Sequence, residues 1–375
     1  MIPSDPRWTD KVLDAFRQVG DPPADQAVEE VFATGSIAEV NRLMRTLVRN
    51  DMPPPEELPK TLCNYFETTE NLPEWADLDA IARSQEFFMR HGLLSILILS
   101  SYSLPVCYGA ARGVKVIYES ARLYTDPRRR VLETAQMLLD SMAPGGLDPS
   151  GAGVRSAQKV RLMHAAIRTL LLNRGWDIPN LGVPINQEDL VGTLGTFGFH
   201  FIDGLRKLNV RFTSSEADDY IHAWNVIGHI MGIQRPLYPQ NFEEATYLAG
   251  RINARHFTAS PEGKVLQEAL TGYLQSIIPG TAFDGFAIAL TRHFLGEERA
   301  NIVGMPRSDW TQLSLKPFLV FNGFLSSANQ DIPPLADAIS HFSQKMIENL
   351  LVMERGGERT DFHIPETLKQ AWKMA

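Results

Sequence analysis

Cysteine is almost absent from this 375-residue chain, which has only Cys63 and Cys107, far apart. That excludes a disulfide framework, a cysteine-rich zinc site, an iron–sulfur cluster and the C-x-x-C-H attachment of a covalent haem. Concentrated positive charge is missing as well. Lys and Arg total 36 against 44 Asp and Glu, a net charge of −8, and the longest basic run is Arg128-Arg129-Arg130. Nucleic acid and anionic membrane surfaces are therefore not expected partners. No hydrophobic run is long enough to span a bilayer. Leu93–Tyr108 comes nearest, but it is short and interrupted by Ser95, Ser100, Ser101, Ser103 and Pro105. It reads as a helix buried in a large core, without stable membrane insertion. Met1–Trp8 has neither a hydrophobic core nor a twin-arginine signal, so the expected location is cytoplasmic.

Several catalytic signatures are also missing. There is no G-x-x-x-x-G-K-[ST], no G-x-S-x-G and no H-E-x-x-H. Gly192, Gly195 and Gly198 have the wrong spacing for a dinucleotide fingerprint and follow no strand. They suit a helix that approaches another helix, or something flat, closely. Asp218-Asp219-Tyr220-Ile221-His222 lacks the third acid of a diphosphate–magnesium motif, and paired Glu-x-x-His motifs of a di-iron bundle do not occur. Asp219 is expected on a solvated face, and His222 and His229 in ordinary packing.

What is present is helical periodicity over a 44% apolar, 21% charged composition, ample for a core. Helices are expected at Asp5–Val19, Ala24–Thr34, Ile37–Arg49, Glu56–Glu67, Leu78–Tyr108, Pro127–Met142, Val154–Asn173 and from Gln187, capped by Asn186. Further helices follow at Glu216–Met231, Phe242–Asn253, Gly263–Ile277, Asp284–Leu295, Trp310–Leu325 and Leu335–Val352. The longest alternating, strand-like segment is Val114–Tyr118. The fold class is all-α, with an N-terminal extension at 1–54, a core at 55–300 and C-terminal helices at 301–375.

The most informative helix is Lys159–Arg168. At about 100° per residue, Arg161 and Arg168 lie nearly above one another and His164 sits about 60° round from Arg161. Val160, Ile167 and Leu171 continue that side as an apolar strip. Such a surface suits a haem, whose iron takes an imidazole, whose ring takes apolar contact and whose propionates take cations. A histidine satisfied within the core gives the same pattern. Elsewhere, Arg130, Thr134, Met137 and Ser141 share one helix face, and Thr196 and His200 share another with Gly192 and Asp203. A buried hydroxyl there can bond a ligand or its own backbone.

Taken in order, Arg130-x-x-x-Thr134, Val160-Arg161-Leu162-Met163-His164-Ala165-Ala166-Ile167-Arg168, Thr196, and Trp224 with Gly228 and Gly232 resemble the rubber oxygenases (latex clearing proteins) and MpaB-type oxygenases. The similarity covers roughly Leu58 to Leu295, and its most specific segment is the His164 helix. The resemblance implies a globin-like helical core with added N- and C-terminal helices and a non-covalent haem b. It puts the proximal, iron-binding histidine at His164. Arg130, Thr134 and Thr196 become haem-pocket and candidate catalytic residues, with Arg161 and Arg168 nearby and Arg161, Arg168 or Arg130 expected to pair with the propionates. It implies O₂ chemistry on a small lipophilic substrate, isoprenoid or alkene-containing, since rubber oxygenases cleave the C=C bonds of polyisoprene. Two departures stand out. Glu133 occupies the place of the distal lysine of some rubber enzymes, which implies a sixth iron position open or held by water or another residue. Glu119 lies near, but not at, the spacing of their proposed base. A non-catalytic haem protein sensing O₂ or redox state, and a haem-free helical protein binding a lipid or partner, are the alternative readings. Oligomeric state is not readable from the sequence.

Overall fold

A computed structural model describes residues 5–120, 127–277, 284–307 and 364–365. The first helices are α1 (Asp10–Phe16), α2 (Pro22–Thr34), α3 (Ile37–Met44), α4 (Lys60–Thr69), α5 (Leu78–Arg90), α6 (Gly92–Ile98), α7 (Leu104–Gly109) and α8 (Val114–Glu119). Then come α9 (Pro127–Met142), α10 (Gly153–Leu172), α11 (Ile178–Leu181), α12 (Gln187–Phe197) and α13 (Phe199–Lys207). The last are α14 (Ser214–Ile230), α15 (Phe242–His256), α16 (Pro261–Ile277), α17 (Asp284–Leu295) and α18 (Glu297–Ile302). Among the described residues there is no β-strand, only one antiparallel bridge between Ala110 and Phe257. The chain is all-α, as its periodicity predicts. The expected helices at Trp310–Leu325 and Leu335–Val352 lie outside the described residues.

Local chemistry sets the ends of the helices that matter most. Asn186 caps α12 by accepting the amide of Asp189 through Oδ1 at 2.9 Å. Thr213 and Glu216 close a capping box on α14: the Glu216 amide donates to Thr213 Oγ1 at 3.1 Å, and Thr213 N donates to Glu216 Oε2 at 2.8 Å. At α2, Pro22 and Pro23 open the helix and Gly35, at φ 66°, closes it in the left-handed region.

The segment expected as one helix over Leu78–Tyr108 is instead broken. It leaves helical geometry at His91, where φ is −105° and ψ 18°, and the parts on either side meet at 85°. A wide turn at Leu99–Ser103 then interrupts it again. Ser95 and Ser100 hydroxyls donate to the carbonyls four residues back, at 3.1 and 2.7 Å, which loosens the local ladder. Among the described residues no single helix is long and apolar enough to cross a membrane. The alternating Val114–Tyr118 segment is helical, as α8.

α10 organises the rest. Val160, Met163, Ile167 and Leu171 join the main core, while Leu162, Ala165 and Ala166 join a second cluster built from α2, α3 and α4. Each large aliphatic buried this way contributes about 1.5–3 kcal/mol. The N-terminal helices thus cover one side of α10, and α9, α12 and α14 meet the other.

Candidate functional site

Within α10, every residue from Val160 to Arg168 is buried except His164. His164 lines two adjoining cavities of about 190 and 140 Å³. The cavities share a partition that includes Cys107, Leu190, Leu194 and Trp224. Their walls are mainly apolar, as an extended hydrophobic ligand requires. The larger runs along α12 toward α15 and the smaller lies between α9, α10, α12 and α14.

Glycines shape the space. A Cβ added at Gly195, which faces the larger cavity, would meet nothing within 4 Å. At Gly192 it would come within 3.3 Å of Ile252, so this glycine brings α12 close to α15. Gly228 brings α14 against α12, since a Cβ there would lie 2.7 Å from Leu194 Cδ2. The glycines therefore do both things the sequence allowed, close helix packing at some positions and open space at Gly195.

The other sequence candidates divide. Thr134 lines the smaller cavity together with Glu133, so the Arg–Thr helix does face His164. The backbone of Arg130 is in the first turn of α9, but its side chain lies outside the described residues. Thr196 lines the larger cavity, where its hydroxyl donates to the Thr193 carbonyl at 2.7 Å and accepts from the Cys107 thiol at 3.5 Å. Burial pushes that thiol up to about 11, so it stays protonated at neutral pH. Glu119 lines neither cavity, although Ile117 and Ser120 on the same stretch do.

Arg161 and Arg168, expected near the propionates, are paired with acids at the start of α2. Neither lines a cavity. Arg161 makes a two-pronged pair with Asp21, Nε to Oδ2 at 2.6 Å and Nη2 to Oδ1 at 2.7 Å, and its Nη1 donates to the Ile230 carbonyl. Gly232, at φ 84°, leaves room for this guanidinium, because a Cβ there would lie 2.5 Å from Arg161 Nε. Arg168 pairs with Asp25 and donates to the carbonyls of Pro184 and Ile185, each at 2.9 Å. The physical reason is depth: both guanidiniums are buried, and a buried cation needs an acid at bonding distance. The two arginines bolt α10 to the start of α2.

Residues that sequence reasoning missed or left unassigned complete the walls. His200 is 3% exposed; its Nδ1 lies 3.2 Å from the Gly195 carbonyl, and burial depresses its pKa to about 4. It is therefore neutral at pH 7. At the α15 end, His256 Nε2 stands 3.0 Å from Glu188 Oε1. Glu188 is also held by Arg255 at 2.7 Å and Arg17 at 3.3 Å. Burial opposes its charge, but His256 and Arg255 overcome that and bring its pKa to about 2. Beside it, Asp189 accepts from Arg17 at 2.9 Å, and burial raises its pKa. The shared face of Thr196 and His200 was visible as a spacing; the Glu188–His256 pairing has no sequence signal, because α12 and α15 meet only in the fold. His222 and His229 stay out of both walls: His222 Nε2 accepts the Asp77 amide at 2.9 Å, and His229 meets the Trp75 ring edge-on. Asp219 pairs with Arg83 at 2.7 Å.

A haem b is the group that the spacing around His164 suggests, and the walls fit it in two respects. An imidazole borders cavity space from a stretch, Val160–Arg168, whose other residues are buried, and the surrounding walls are mainly apolar and partly glycine-opened. The described lining of both cavities contains no arginine or lysine, which leaves Arg130, with its side chain outside the described residues, as the sequence's remaining candidate for a propionate. Among the described residues, no group of three or more His, Cys, Asp or Glu could hold a metal ion unaided.

Comparison with known proteins places this geometry. Residues 82–325 match the family described as the catalytic domain of the ER-bound oxygenase mpaB/B′ and rubber oxygenase. The chain is 27% identical over 295 residues to a rubber oxygenase of Streptomyces sp. (strain K30), covering 77% of this chain and 71% of that protein. The fold is similar to a structure of latex clearing protein in the closed state, with a TM-score of 0.78, 23% identity, and coverage of 93% of this chain and 95% of that one.

Proposed function

The chain belongs to the MpaB-type and rubber oxygenase family, and from that premise we propose that it is a haem b-dependent oxygenase acting with O₂ on a small lipophilic alkene, isoprenoid in character. Family membership makes it an oxidoreductase. The observation that carries the finer reading is His164, the one accessible residue between Val160 and Arg168, at the wall common to both cavities.

In this reading His164 would supply the imidazole that holds the iron. Haem b, when bound, supplies an iron at which O₂ is activated. The chain supplies the rest. The Asp21–Arg161 and Asp25–Arg168 pairs anchor α10 on either side of His164 along the helix and so fix the direction of the imidazole. Thr134 presents a hydroxyl at the smaller cavity, and Thr196 holds the Cys107 thiol at the larger. Arg130 would be the cation for a propionate. With Glu133 where some relatives carry lysine, this position would offer no amine to the iron. Apolar side chains such as Leu190, Leu194 and Trp224 exclude water and hold the hydrocarbon part of the substrate. Oxidative C=C cleavage or oxygenation follows from that arrangement.

The test is an absorbance spectrum of purified protein, oxidised and dithionite-reduced, with and without CO. A Soret band that shifts with CO is expected. No Soret band after reconstitution with haem would overturn the haem reading and return His164 to the role of a wall residue.

A further inference from the structure

The last described residues of the chain, Ile364 and Pro365, are both buried and line neither cavity. Ile364 is anchored by Asn41 on α3, 323 positions earlier in the sequence. The Asn41 side chain treats it as a strand neighbour would. Its Nδ2 donates to the Ile364 carbonyl at 2.9 Å, and its Oδ1 accepts the Ile364 amide at 2.8 Å. One side-chain amide thus satisfies both backbone groups of a residue that lies in no helix or strand. That allows the Ile364 side chain, 1% exposed, to enter the core without stranding its backbone.

The core it enters is the second cluster, in which α2, α3 and α4 pack against Leu162, Ala165 and Ala166 of α10. These three lie about 100° to 200° round from His164, on the far side of the helix. Ala165 follows His164 directly, and both alanines are fully buried. With only a methyl between them, the N-terminal layer rests close to the α10 backbone, and a shift of the layer passes to the helix with little slack. Polar bonds tie the two together as well. The Asp21–Arg161 and Asp25–Arg168 pairs flank His164 along α10, and the Tyr65 hydroxyl of α4 donates to the Gln158 carbonyl at 2.9 Å. The N-terminal helices are therefore the backing of the His164 helix, and the C-terminal segment is clamped to that backing.

We propose that Ile364, clamped by Asn41, is a positioning residue for His164: it completes the layer on the far side of α10 and thereby sets the direction of the imidazole. The claim rests on the haem oxygenase reading for what that direction does, and its packing half stands without haem. Burial of the isoleucine drives the clamp shut. When Ile364 leaves, the layer loses an apolar plug and relaxes around the gap, and α10 loses part of its backing at the turn that carries His164.

The test compares the full-length protein with three variants. Asn41→Leu keeps the side chain's size and suits a helix but removes both bonds; Ile364→Ser removes the plug; Ile364→Val keeps it. Amide hydrogen exchange reads the clamp at Ile364 and, separately, the stretch of α10 around His164. The first two variants are expected to speed exchange at Ile364 about tenfold and around His164 about threefold, with Ile364→Val close to wild type. In the dithionite-reduced holoprotein, the iron–histidine stretching band of the resonance Raman spectrum should shift in the first two variants and return with valine. A clamp that serves stability alone would lower the melting temperature and leave both that band and α10 exchange unmoved, which would overturn the proposal. Exchange at Ile364 as fast in wild type as in Asn41→Leu would overturn it too. A protein without a Soret band would contradict the haem reading, and exchange in α10 would then decide the role of the clamp by itself.

Discussion

On α10, Arg161 and Arg168 are buried against Asp21 and Asp25, while His164, about 60° round from Arg161, keeps accessible surface and lines two cavities. The three side chains sit within one turn or two of each other and all carry polar chemistry. What separates them is their surroundings. The guanidiniums are held by protein acids and carbonyls, so they tie the fold together. The imidazole borders cavity space. Polar residues close together on one helix thus differ in whether they border open space.

The largest stability effect should come from the arginine side. Arg161→Ala strands the buried Asp21 carboxylate and is expected to cost about 3–5 kcal/mol, read by urea unfolding, while the folded fraction keeps its full haem content. Haem loss at unchanged stability would place Arg161 at the cofactor and erase the contrast.

Acid should come next. His91 and His200 are buried with pKa values near 4, against 6.5 for an ordinary imidazole, burial being the main cause in both. Their folded pKa values are depressed, so their contribution is complete above pH 6.5 and is lost as pH falls from 6.5 toward 4, about 1–3 kcal/mol each. Glu188 adds a lower window, between 4.5 and about 2. A melting temperature that stays flat from pH 7 to 4.5 would contradict this.

On the cavity side, effects on stability should be smaller and effects on function larger. Thr196→Val removes the hydroxyl between Thr193 and Cys107 and should cost about 1 kcal/mol in thermal unfolding. Haem is retained and O₂ turnover altered; unchanged turnover would make Thr196 purely structural. Smallest is Gly195→Ala, which meets no atom and should gain about 0.5–1 kcal/mol in helix stability. A loss there would mean that the wall is tighter than the structure shows.

Much of this was readable from sequence because helices announce themselves locally. α9 and α17 run over the residues their periodicity indicates, α10 differs by a residue at each end, and Asn186 caps α12 as its side chain suggests. Local pattern failed where the outcome was decided by contacts. The bend at His91 and the wide turn at Leu99–Ser103 leave the apolar periodicity intact, so Leu78–Tyr108 looked continuous. At the site, the order of His164, Thr134 and Thr196 was legible through family resemblance. The pairing of the arginines with Asp21 and Asp25 was not legible, because a helical wheel gives angle and not depth, and Asp21 lies 140 positions from Arg161. The Glu188–His256 pairing was invisible for the same reason.

The most direct test of the contrast is haem content per folded molecule in His164→Ala, set beside wild type. The protein is expected to keep its helical circular dichroism and to lose stoichiometric haem. Full occupancy with an unaltered Soret band would take His164 out of the axial position and contradict the account.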